Sequence, residues 1–68
     1  MRLNEAISYY LARNDDNLHA LSKRTGVSYM AMRNIMDGAS PKLVTLEKIA
    51  HGLGTDIGKL ISKAEEYK

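Results

Sequence analysis

Few side chains in this chain could do chemistry, and their spacing excludes most kinds of it. There is no cysteine, and the two histidines, His19 and His51, lie too far apart in the sequence to suggest a metal motif. No nucleophile and base stand together as a catalytic set, and 68 residues leave little room for a cleft. The expectation is therefore no enzyme, no cofactor and no small-molecule ligand. What remains is charge and hydrogen bonding. Residues 17–44 carry Lys23, Arg24, Arg33 and Lys42 against one acid, Asp37, a net +3 in a chain of net +2. The stretch before them is net −1 and the stretch after them neutral. A basic middle is the electrostatic footprint of a nucleic-acid binder. A solvated helix face would carry the same charges, so the count alone does not choose.

The elements that must position these residues are short helices. One domain is all that 68 residues allow, and such a chain buries only about 60% of its unfolded surface, which makes for a small core. Without disulfides it must be held by helix packing, helped by self-association. Leu3, Ile7 and Leu11 recur every four residues as the stripe of a first helix. Asn14-Asp15-Asp16-Asn17 breaks it; Asn17 is a good cap for a second helix, whose positive start the aspartates favour. Leu18, Leu21 and Thr25 line that helix, which stops at Gly26. Ser28 caps a third helix, closed by Asp37-Gly38, and Ala39-Ser40-Pro41 is a loop. Leu43, Leu46, Ile49, Ala50 and Leu53 make the strongest stripe, ended by Gly54. Thr55 is expected to cap a fifth helix that buries Ile57, Leu60 and Ile61. The reading is all-α, with helices at about 3–13, 18–25, 29–36, 43–53 and 56–63 and no strand. Glu65-Glu66-Tyr67-Lys68 reads as a frayed tail or a partner contact. The charged start and the lack of a long apolar run predict neither a signal peptide nor a membrane span. The expected location is the cytoplasm.

The most informative stretch runs from Leu21 to Ile35, Leu-Ser-Lys-Arg-Thr-Gly-Val-Ser-Tyr-Met-Ala-Met-Arg-Asn-Ile. A small residue at Ser22 lets two helices cross, Gly26 makes the turn between them, and Val27, Met32 and Ile35 pack the second helix down. This pattern resembles the helix-turn-helix of the phage repressor and Cro proteins, also called XRE-like. Pro41 to Ala50 with Leu53-Gly54 resembles the fourth helix of that family, so the likeness covers roughly residues 3 to 62. Three positions depart from it. The family often pairs an arginine late in its first helix with a glutamate ending its third; Leu11 and Met36 stand there as an apolar pair. Such a replacement can be neutral or stabilising. Thr25 replaces a commoner apolar residue, and Leu18 stands where many relatives have a glutamine on phosphate.

The resemblance implies a five-helix, lambda-repressor-like DNA-binding domain that lays its third helix in the major groove of double-stranded DNA. Helical spacing then puts Met32, Ile35 and Met36 on the core side and Tyr29, Met30, Arg33 and Asn34 outward. Asn34 is suited to adenine and Met30 to thymine methyls. Tyr29 would meet a base edge or a phosphate, and Arg33 would fork to guanine or lie along the backbone. Ser40 and Lys42, at the start of the fourth helix, are expected on the phosphate backbone with Asn17, Lys23 and Ser28. His19 and His51 read as surface residues without a role.

The leading reading is a transcriptional regulator of the repressor or Cro type, binding a near-palindromic operator as a homodimer that is weak in solution. Its self-contact is expected at Ile57, Gly58 and Ile61, because the second and third helices are committed to DNA. An antitoxin of a toxin–antitoxin pair would use the same fold. A protein-interaction module that has lost DNA binding is the other alternative, against which the acid-free Tyr-Met-Arg-Asn face argues.

Overall fold

The computed structural model describes residues 1–67. Five helices follow one another: α1 Leu3–Arg13, α2 Leu18–Thr25, α3 Tyr29–Met36, α4 Leu43–Gly52 and α5 Ile57–Glu65. No strand occurs among the described residues. Each of the five sends apolar residues to one core. Ala6, Ile7, Leu21, Met32, Ile35, Leu46, Ile49, Ala50, Leu53, Leu60 and Ala64 form it, with Leu3, Leu11, Leu18, Val27, Met36, Ile57 and Ile61 packed against its edge. The radius of gyration, 10.5 Å, is close to the roughly 11 Å expected of a folded chain of this length. No described arm projects from the body.

Side chains define most helix starts. Asn17 accepts from Ala20 N–H at 2.9 Å, Ser28 from Ala31 N–H at 3.1 Å and Asp56 from Lys59 N–H at 2.8 Å. Each satisfies a backbone donor that has no partner within its helix. Lys42, at the start of α4, makes no such bond. Arg2 makes none either, but its own N–H donates to Ala64 O at 2.9 Å and fixes the start of α1 to α5.

Several expectations are corrected. Asp56, not Thr55, caps the fifth helix, because Thr55 belongs to the end of α4. Its N–H donates to Ala50 O and that of left-handed Gly54 to His51 O, both at 3.0 Å, the paired bonds of a Schellman turn. Accordingly α4 ends one residue before 53, and α5 starts at Ile57 and continues to Glu65. Of the expected tail, Glu65 belongs to α5 and Tyr67 N–H donates to Ala64 O at 3.3 Å; Lys68 lies outside the described residues. Leu43 leaves the apolar stripe of α4. It is 66% exposed and its neighbour Val44 59%, because the first turn of α4 overhangs the core that Leu46 closes. On α5, Leu60 is buried while Ile57 and Ile61 are half-buried.

Candidate nucleic-acid interface

The turn between α2 and α3 is short and tied from both sides. Gly26 takes φ +76°, the left-handed conformation that costs other residues about 1–2 kcal/mol, and its N–H donates to Ser22 O. Ser22 Oγ donates to Val27 O at 2.6 Å. Thr25 Oγ1 accepts from Val27 N–H at 3.2 Å and donates to Leu21 O at 2.8 Å. The small residue at 22 thus does more than leave room. It and Thr25 lock the chain direction into α3, a role that needs both hydroxyls.

Entering α3 from this turn, Met32 and Ile35 are buried, which turns the other side of the helix to solvent. Tyr29, Met30, Arg33 and Asn34 are all exposed, as their spacing predicts. They form one surface one turn deep, with apolar groups at the start and polar groups one turn on. Arg33 lies 3.7 Å from Asp37, an exposed pair of the i, i+4 kind. Such pairs are worth little and exchange readily for another anion.

Around this face, the other sequence-predicted residues divide. The side chains of Lys23, Ser40 and Lys42 are exposed and make no hydrogen bond or ion pair with other described residues. The first amides of α4, above Lys42, lack a side-chain cap, leaving donors of the kind that attract anions. Asn17 and Ser28 spend their oxygens on capping. Each keeps a donor, the Asn17 amide N–H and the Ser28 hydroxyl. Ile57 and Ile61 pack on the core's edge and Gly58 is exposed, on a helix that packs against α1 and α4. Val44 and Ile57 line the same open groove of about 540 Å³, together with Glu47, Lys48 and His51.

Arg24 is the cation that the charge count misplaced. Its guanidinium donates to both carboxylate oxygens of Asp16, at 2.5 and 3.4 Å, and to Gly52 O at 2.9 Å. It therefore holds the loop before α2 to the end of α4. Hydrogen bonding from Arg24, and next from Asn17 N–H, holds the Asp16 carboxyl below its ordinary value. Asp16 thus also binds Arg24, beside the N–H of the α2 cap residue Asn17, and the exposed cations of residues 17–44 that make no such tie are Lys23, Arg33 and Lys42. Asn14 makes a parallel tie, its amide donating to Leu53 O at 3.1 Å. Between α1 and α5, Lys63 lies 3.8 Å over the Tyr9 ring, and its bond to Glu66 raises its pKa.

His19 is exposed, but its ring stacks on that of Tyr29, with centroids 3.9 Å apart and planes within 5°. Aromatic residues ten apart, on two helices, leave no periodic signal; only the register of the α2–α3 turn brings them together. Among the described residues, no three His, Asp or Glu side chains group as metal ligands, and no helix is long and apolar enough to cross a membrane. No family model, curated protein or solved structure matches this chain.

Proposed function

We propose that this chain is a sequence-specific DNA-binding regulator of transcription, in which α2 and α3 act as a helix-turn-helix of the repressor and Cro kind. The observation that carries the reading is the exposed set Tyr29, Met30, Arg33 and Asn34 on α3, none of them acidic, in a central segment whose other exposed cations include Lys23 and Lys42. Laid in a major groove, this face offers Asn34 to adenine, Arg33 to guanine or phosphate, and its first turn to base edges. Lys23, Lys42, Ser40 and the open amides of α4 supply backbone contacts, with the spare donors of Asn17 and Ser28 beside them. These fix register without carrying sequence information.

A single recognition helix reads only a few base pairs, so two protomers act on one operator. The surface proposed for self-contact is the edge of α5 at Ile57, Gly58 and Ile61, extended by Val44 across the shared groove. It is small, which makes for a dimer that is weak in solution and tightens on DNA.

The test is a retardation titration on duplex DNA over rising salt. If each protomer neutralises three to five phosphates, two give a log–log slope of roughly −5 to −9. A slope near zero, or no retardation at low salt, overturns the reading.

A further inference from the structure

Neither His19 nor Tyr29 contributes to the core. His19 is the second residue of α2, Tyr29 the first of α3, and both are exposed, Tyr29 by 38%. An exposed tyrosine ring ordinarily turns among its rotamers. Here one of its faces is covered by the imidazole at 3.9 Å, in the parallel arrangement that aromatic rings adopt when offset. Ser28 anchors the backbone beneath it by capping α3. The backbone at Tyr29 is thus set by the cap, and one face of its ring is covered by the stack.

The same turn of α3 carries Met30, 69% exposed, whose thioether has no hydrogen-bond donor. Ring and thioether are thus the two exposed apolar groups of the first turn, with Arg33 and Asn34 one turn further on. Thymine alone among the bases presents an apolar group, its 5-methyl, in the major groove. We infer that His19 is a positioning residue. It fixes the Tyr29 ring so that Tyr29 and Met30 together select thymine methyl groups in the operator. The inference rests on the reading of α3 as the DNA-facing helix. It gives His19 a part in specificity without contact to a base.

Two measurements test it. In the free protein, stacking places the Tyr29 ring protons in the ring current of His19. Their NMR signals should lie upfield, return to ordinary positions in His19→Ala and remain upfield in His19→Phe, which keeps a stacking ring. On DNA, the probe is a duplex enriched by the wild type from a random pool, with thymidine replaced by deoxyuridine, which deletes only the methyl. Each contacted methyl should be worth about fourfold in affinity, the usual transfer value of one buried carbon. His19→Ala should bind the thymidine duplex more weakly and show less than half that penalty, and His19→Phe should restore both. A deoxyuridine penalty unchanged in His19→Ala overturns the positioning role, as does a Tyr29 signal in the wild type that His19→Ala leaves in place. If the wild type enriches no duplex, the functional reading falls and this inference with it, while the NMR result still reports the stack by itself.

Discussion

Arg24 and Arg33 are both exposed guanidiniums on the central helices, and their neighbours give them opposite work. Arg24 is spent on Asp16 and Gly52 O, whereas Arg33 has one loose partner, Asp37. Arg24→Ala should therefore lower the melting temperature clearly, and Arg24→Lys should not restore it, because a lysine lacks the planar fork that spans both acceptors. Lys42→Ala should leave the melting temperature in place and weaken DNA binding about equally for good and poor operators. Asn34→Ala should instead cost about 1–3 kcal/mol on the best operator and relax preference at one base pair; an unchanged set of enriched sequences would remove Asn34 as a reader. Asp16 adds a pH dependence. Its folded pKa is depressed, so its stabilisation is fully present above the ordinary carboxylate value of about 3.9 and is lost as pH falls through the lower folded value. Melting temperatures taken across that acid window should fall more steeply for the wild type than for Asp16→Asn. The outward residues of α3 were legible in the sequence because burial of Met32 and Ile35 dictates them. The division between Arg24 and Arg33 was not, because a charge count carries no information on the backbone carbonyl of Gly52 or on which acid the loop brings near.

At the scale of elements, the approach of α4 to α2 limits what the fold tolerates. A Cβ at Gly52 would overlap the Thr25 methyl and reach 3.0 Å from Leu21 Cδ1. Alanine is the better helix former by about 1 kcal/mol, but here the overlap falls on a branched side chain and a fully buried leucine. Gly52→Ala should thus be destabilising overall, by about 1–3 kcal/mol as for other overpacked seams. Each kcal/mol should lower the melting temperature of so small a domain by about 4–8 °C. Adding Thr25→Ser, which deletes the methyl and keeps the hydroxyl bonds, should recover part of the loss. A Gly52→Ala protein as stable as the wild type would contradict the close approach. Apolar spacing and capping residues made all five helices legible. The exceptions have local causes: Thr55 is drawn into the turn that ends α4, Leu43 overhangs the core, and Gly52 looks like any glycine near a helix end until α2 is placed beside it.

At the scale of the molecule, the exposed residues of α3, the exposed cations of residues 17–44 and the apolar edge of α5 with Val44 together define the proposed mode of action. Weak self-association, charge-driven docking and a short reading face become specific only when two copies share one site. The most direct test of this account is selection of bound duplexes from a random DNA pool, followed by the stoichiometry of the complex on the enriched sequence. Inverted half-sites with centres about 10–10.5 base pairs apart, or a multiple of that spacing, are expected, with two chains per duplex at saturation. A pool that remains random after repeated rounds at low salt would contradict sequence-specific DNA binding, and one chain per full inverted repeat would contradict the paired mode of action.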